Sequence, residues 1–129
     1  MCIRDSRSGD RVVSSRFDLV TLDSPATDAL ARFWSAVLDL HEVEREDGDR
    51  WIVLADADGR RCIGLQRGAT RPGSVHLDVA CAPDAFDEEF HRICALGAAA
   101  LGEPRREPYG SIANLADPDG NPFDLCAYS

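Results

Sequence analysis

The chain has 129 residues, of which 44% are hydrophobic, enough for one globular core and hardly for two. Its 14 basic and 23 acidic side chains give a formal net charge of −9, so electrostatic repulsion disfavours nucleic acid and anionic membrane surfaces as partners. No apolar stretch approaches the roughly 18 residues of a membrane-spanning helix, and no hydrophobic signal-peptide core follows the N-terminal arginines.

The cysteines indicate a reducing compartment rather than a disulfide framework. They are odd in number and widely spaced without a CxxC motif, and three lie in apolar runs where a thiol behaves as a small hydrophobic side chain. We therefore expect a cytoplasmic protein without disulfides. The cysteines are Cys2, Cys62, Cys81, Cys94 and Cys126.

Composition separates a polar N-terminal segment from the rest of the chain. Residues 1–15 are rich in Arg, Ser, Asp and Gly, which predicts a disordered extension. From residue 16 onward, strand and helix patterns alternate to the end of the chain. We interpret residues 16–129 as one domain.

The first half of this domain, about residues 16–67, has the pattern of a strand, a helix and three further strands. Residues 17–22 form a short apolar run, and residues 25–38 carry apolar side chains at the spacing of a helix that packs on a sheet. That helical stripe consists of Leu30, Phe33, Trp34, Val37 and Leu38. The three further strands are predicted at 41–45, 50–55 and 61–66.

The second half, about residues 74–128, repeats this order after a break at 68–74 that contains proline and glycine. A strand at 75–81 precedes a helix at 84–96, and Gly97 is a plausible C-terminal stop. Strands are then predicted at 99–103, 111–116 and 122–127. Both halves therefore have a βαβββ pattern, which we interpret as a diverged structural repeat.

Three stretches together resemble a known family: residues 22–38, residues 75–98 and the turn at 117–123. They are similar to a glyoxalase-like domain of the vicinal oxygen chelate superfamily, which includes glyoxalases, bleomycin-resistance proteins and extradiol dioxygenases. The resemblance implies an α+β fold of two βαβββ modules around a concave cleft of mixed sheets. In metal-using members, inward side chains of each module's first and last strands hold a divalent ion.

Strand periodicity independently directs polar side chains toward the open face of the second module. Side chains alternate between the two faces of a strand, and the apolar residues of 75–81 must face the helix. This leaves His76 and Asp78 on the open, concave face. By the same rule, the last strand directs Asp124 to that face.

The same rule applies to the first module. If Leu19 faces the helix, Asp18 points into the cleft, and the strand at 61–66 directs Cys62 and Gln66 there. The four places that correspond to metal ligands in the similar family are then occupied by Asp18, Gln66, His76 and Asp124.

This set leaves both a metal site and a metal-free pocket open. One imidazole with carboxylate and amide oxygens suits a divalent ion such as Mn, Fe, Ni, Co or Zn, and not a soft, cysteine-rich site. Metal-dependent relatives usually carry Glu at the last position, however, and Asp124 is one methylene shorter. His76 and Asp78 would otherwise line a metal-free cavity.

Three classes of function follow. The first is an enzyme with lyase, isomerase or dioxygenase chemistry, in which the ion polarises adjacent substrate oxygens and Asp78 or Asp124 is the candidate catalytic base. The second is a protein that sequesters an aromatic or cationic small molecule, using Trp51, Tyr109 and Cys62; Trp51 could instead pack at a sheet edge. The third is a purely structural α+β domain. Similar proteins also commonly form a homodimer.

Overall fold

The computed structural model describes residues 17–73 and 75–128, so the predicted extension at 1–15 lies outside the described residues. The first half follows the order strand, helix and three strands. Its elements are β1 (Val20–Ser24), α1 (Thr27–Leu38), β2 (His41–Glu46), β3 (Trp51–Ala55) and β4 (Arg61–Arg67).

The second half has the same order, except that the strand predicted at 99–103 covers only two residues and a further short strand, which was not predicted, follows it. Its elements are β5 (Leu77–Ala80), a 3-10 turn (Pro83–Ala85), α2 (Phe86–Ala95), β6 (Ala99–Ala100), β7 (Arg105–Glu107), β8 (Gly110–Ala116) and β9 (Pro122–Tyr128). Both β6 and β7 pair with β8. No helix among the described residues is long and apolar enough to cross a membrane.

Each half forms its own mixed sheet. The strand order is β1-β4-β3-β2 in the first sheet and β5-β9-β8-β6 in the second. In both sheets the first and last strands of the half are parallel neighbours, and the remaining pairs are antiparallel. The predicted α+β class with two mixed sheets is confirmed.

One hydrophobic cluster contains residues from both halves. At its centre the rings of Trp34 and Phe123 lie 4.9 Å apart in an edge-to-face arrangement, and Phe33 contacts both rings. The apolar stripe of the helix predicted this burial. In the structure Trp34 is only 1% exposed. In each sheet the face toward the helix is therefore buried, and the opposite face carries polar side chains.

The orientation predicted for Leu19 is wrong. Val20 and Leu22 pack on the core, whereas Leu19 lies on the open face beside Gly64. Residues 17–22 have apolar side chains at both odd and even positions. Periodicity alone therefore does not determine whether the odd or the even positions face the helix. A shift of one residue exchanges the two faces of a strand, and the predicted direction of Asp18 depended on that choice.

Candidate functional site

Three polar side chains converge on the open face of the second sheet. His76 Nε2 lies 3.7 Å from Asp78 Oδ1 and 4.0 Å from Asp124 Oδ2. One ligand atom from each residue lies within 4.8 Å of the other two. Within residues 17–73 and 75–128, His76, Asp78 and Asp124 form the one cluster of His, Cys, Asp or Glu side chains with this spacing.

Strand pairing explains why these side chains meet. Strands β5 and β9 are parallel, and Asp78 is the direct partner of Asp124 across the pair. Phe123 and Leu125 are buried against the core, so the residue between them points to the opposite face. His76 precedes β5 by one residue and lies two positions before Asp78, on the same side. Of the side chains that strand periodicity directs into the cleft, the structure brings these three together.

Asp124 is the most strongly held member of the group. The Asn114 amide Nδ2 donates a 2.6 Å hydrogen bond to Asp124 Oδ1, and Arg105 donates a 2.7 Å hydrogen bond to Asn114 Oδ1. The Asp124 side chain is 23% exposed, against 57% for His76 and 65% for Asp78. The group thus combines one anchored carboxylate with two more exposed side chains.

A cavity of about 330 Å³ adjoins His76 and Asp124. Its wall combines these two polar residues and Asn114 with apolar surface, a combination typical of small-molecule sites. The other lining residues are Gly73, Leu101, Leu115 and Pro122. The volume is at the lower end of the range for small-ligand cavities.

A tyrosine pair lies near the group. The rings of Tyr109 and Tyr128 are 6.1 Å apart, and both side chains are partly exposed. A hydrogen bond with Cys126 raises the pKa of Tyr128, and the Asp78 carboxylate contributes to the shift, so the phenol is neutral near pH 7. Sequence reasoning identified Tyr109 and missed Tyr128, although period two from Asp124 would have placed Tyr128 on the same face.

The two ligand candidates from the first module lie elsewhere. Asp18 precedes β1 and pairs with Arg61 through a 2.8 Å contact from Arg61 Nε to Asp18 Oδ1. Gln66 is exposed on the open face of the first sheet, where it is the cross-strand partner of Asp23 and Trp51. Neither side chain lines the cavity at His76.

Trp51 lies across the open face of the first sheet rather than beyond its edge. A Cβ atom at Gly64 would be only 2.5 Å from Trp51 Cη2, so the indole ring covers this glycine. Its Nε1 donates a 2.9 Å hydrogen bond to Glu44, which also pairs with Arg61. Hydrogen bonds from Arg61 and Trp51 lower the pKa of Glu44 and keep it ionised.

Cys62 lies at an irregularity of the β3–β4 pairing and packs against the hydrophobic core. Its thiol is 3.3 Å from the Arg60 carbonyl oxygen. Burial raises the pKa of Cys62, and the Asp56 carboxylate adds to this shift, so the thiol stays protonated at neutral pH. No described contact links Cys62 to the His76 group.

The His76 group has donor atoms and spacing that suit a divalent ion. Two ligands of a tetrahedral ion with bonds of about 2.1 Å lie about 3.4 Å apart, close to the 3.7 and 4.0 Å separations here. One imidazole nitrogen and two carboxylate oxygens are the donors of borderline-to-hard ions. Small rotamer changes of the exposed His76 and Asp78 would close the remaining gap. The donors therefore fit a metal ion.

The fold defines a class of protein. Two mixed sheets, each with parallel first and last strands and a helix on one face, are the architecture of the vicinal oxygen chelate superfamily. A glyoxalase-like domain model matches residues 19–126. The chain belongs to this glyoxalase-like family. No match was found among curated proteins.

Solved structures share the fold at low sequence identity. A glyoxalase/bleomycin resistance protein/dioxygenase family enzyme from Burkholderia phytofirmans PsJN is 20% identical, with a TM-score of 0.73, over 87% of this chain and 98% of that one. Protein ATC0852 from Agrobacterium tumefaciens is 24% identical, with a TM-score of 0.73, over 89% and 98%. A FosX fosfomycin resistance protein variant from Listeria monocytogenes, complexed with Mn(II) and 1S,2S-dihydroxypropylphosphonic acid, is 20% identical, with a TM-score of 0.72, over 92% and 93%.

Proposed function

We propose that the protein binds a divalent metal ion at His76, Asp78 and Asp124, and that a small-molecule ligand with adjacent oxygen atoms occupies the neighbouring cavity. The ion would be Mn, Fe, Ni, Co or Zn. The proposed activity is lyase, isomerase or dioxygenase chemistry on that ligand. The Mn(II) complex of FosX supports metal use within this fold and does not identify the substrate here.

One observation carries the proposal: two carboxylates lie side by side, and among the described residues no Lys or Arg side chain forms an ion pair with either of them. Within residues 17–73 and 75–128, the ion pairs of Asp78 and Asp124 are with His76 alone. Adjacent like charges are destabilising unless a cation compensates them. A bound divalent ion would remove this repulsion and use the neutral imidazole as a third donor.

The three residues would have different tasks. A bound ion supplies Lewis-acid polarisation of ligand oxygens. Asp124, anchored by Asn114, would hold the ion together with His76. Asp78 is the more exposed carboxylate, and we assign it as the third donor and the candidate base for a proton of the ligand. Leu101 and Leu115 supply the apolar side of the cavity, and the tyrosine pair would border the ligand beyond Asp78.

A metal-free binding protein is the second candidate. It is favoured by Trp51, whose indole ring lies on the open face of the first sheet and is held in place by Glu44 and Gly64. An aromatic or cationic ligand could stack on this ring, and the ionised Glu44 would favour a cation. In this account Tyr109 supplies a second aromatic surface, and His76 contributes little to affinity.

A homodimer and a ligand role for Asp18 and Gln66 stay predictions. Asp18 precedes the first sheet and Gln66 lies on it, and neither lines the cavity at His76, so we expect them to reach that group only from a second copy. Light scattering with and without added metal tests this. If the protein is a monomer under both conditions, His76, Asp78 and Asp124 would be the only protein ligands of the proposed ion.

Elemental analysis of protein purified without chelator separates the two candidate functions. The metal proposal predicts a near-stoichiometric amount of one of the named ions in the wild type and its loss in His76→Ala. Absence of metal from the wild type, together with no uptake after addition of each ion, would contradict it. The metal-free alternative would then be the better account.

A further inference from the structure

We propose that Asn114 is a positioning residue for Asp124, and that Arg105 reinforces the orientation in which the Asn114 amide faces the carboxylate. This inference rests on the proposed metal site. It concerns residues that neither strand periodicity nor family resemblance had identified as part of a site. The structural feature is a chain of two hydrogen bonds that ends at the Asp124 carboxylate.

The chemistry of the three groups gives this chain a single direction. A guanidinium can only donate hydrogen bonds and a carboxylate can only accept them, whereas an amide does both. Arg105 therefore requires the Asn114 carbonyl oxygen on its side, at 2.7 Å, and the Asn114 Nδ2 group then faces Asp124, at 2.6 Å. Arg105 and Asp124 therefore favour the same orientation of the amide, and without Arg105 the carboxylate alone would hold it.

The geometry directs one carboxylate oxygen toward His76. Asn114 is the direct partner of Asp124 in the β8–β9 pair, so both side chains project from adjoining, hydrogen-bonded backbones. The bond to Asn114 occupies Asp124 Oδ1, and Oδ2 is the atom 4.0 Å from His76 Nε2. Asn114 thus leaves one Asp124 oxygen available to an ion and limits rotation of the carboxylate.

Asp78 provides an internal comparison. It belongs to the same group, but its side chain is 65% exposed and its one described ion-pair contact is with His76. Preorganised ligands bind a metal with a smaller entropic cost than free ones. Outer-shell partners of this kind typically contribute about 10- to 100-fold to metal affinity. Of the two carboxylates, Asp124 is therefore the one whose contribution to metal affinity depends on a neighbouring side chain, that of Asn114.

The test is calorimetric titration of Mn(II) and Zn(II) into the purified full chain. We expect Asn114→Leu, which keeps the branched shape of the side chain and removes both hydrogen bonds, to weaken ion binding about 10- to 100-fold. Arg105→Met should weaken it in the same direction but less, since the amide remains. Ser111→Ala, another half-buried residue of β8, is the matched control and should bind like the wild type.

A double-mutant cycle separates positioning from a general effect on the fold. In the Asp124→Ala background, Asn114→Leu should cause no further loss of ion affinity, because its partner is gone. An equal loss in both backgrounds would overturn the inference. Arg105→Met keeps the test decisive if Asn114→Leu does not fold, since Arg105 is at the surface.

The outcomes also separate this inference from the proposed function. If the wild type binds the ions and both variants bind them equally well, the positioning role is wrong and the metal site stands. If the wild type binds neither Mn(II) nor Zn(II) nor the other named ions, both proposals are wrong. If Asn114→Leu and Arg105→Met weaken ion binding in the otherwise wild-type protein, and Asn114→Leu causes no further loss in the Asp124→Ala background, both proposals are supported.

Discussion

Trp34 and Asp117 are 83 positions apart in sequence and share a buried hydrogen bond of 3.1 Å, from the indole Nε1 to the carboxylate Oδ2. It connects α1 of the first half to the turn between β8 and β9 of the second. Asp117 is 3% exposed and also accepts hydrogen bonds from the backbone of Asp119 and from Asn121. The turn at 117–123 therefore closes a strand connection and joins the two halves.

Removing the Asp117 carboxylate should destabilise the protein. Asp117→Ala leaves the buried Trp34 indole nitrogen and the turn amides without their acceptor, at a cost of about 1–3 kcal/mol for each donor that water cannot reach. Trp34→Phe should also destabilise, because the carboxylate loses one partner. Urea unfolding measures both, and Asp58→Ala, an exposed turn residue, should remain within about 0.5 kcal/mol of the wild type. An Asp117→Ala protein as stable as this control would contradict the account.

A second contact between the halves includes the titratable carboxylate of Glu89. Arg92 of α2 donates to the carbonyl oxygens of Ala36 and Val37 at the end of α1, and Glu89 pairs with the same guanidinium at 2.8 Å. The hydrogen bond from Arg92 lowers the pKa of Glu89. A lowered folded-state pKa contributes stability above the unfolded value, about 4.3, and this contribution is lost as pH falls through the folded value.

The stability difference between wild type and Glu89→Gln should therefore be present at pH 7 and decline below about pH 4.3. Urea midpoints measured at several pH values test this. Glu88→Gln changes the net charge equally on the same helix and serves as the control. A difference for Glu89→Gln that is constant across the range would show that the ion pair adds nothing to stability.

The position of Trp51 can be tested through the glycine beneath it. Gly64→Ala would place a methyl group 2.5 Å from Trp51 Cη2 and 3.2 Å from Leu19 Cδ1, so the ring must move. We expect a loss of about 1–3 kcal/mol in unfolding free energy and a change in near-UV circular dichroism. Gly102→Ala, where nothing lies within 4 Å of the added atom, is the control. Trp51→Leu should relieve part of the Gly64→Ala penalty, and full additivity of the two changes would refute the contact.

Sequence reasoning predicted the second module better than the first. In β5 and β9 the Leu, Val and Phe side chains have one phase only, so period two placed His76, Asp78 and Asp124 together. In β1 both phases carry apolar side chains, and the helix-facing set could be recognised only from tertiary packing. Asn114 and Arg105 were missed for another reason: their role depends on a cross-strand pairing and a side-chain network, which leave no periodic signal.

The central claim is that His76 anchors a divalent ion, and calorimetric titration of wild type and His76→Ala with Mn(II), Fe(II), Ni(II), Co(II) and Zn(II) tests it most directly. The position is 57% exposed, so His76→Ala should unfold like the wild type. His41→Ala, an exposed histidine of β2, is the control for general imidazole binding. We expect saturable binding of at least one ion by wild type and His41→Ala, and its loss in His76→Ala. Equal uptake by wild type and His76→Ala, or none by either, would contradict the claim.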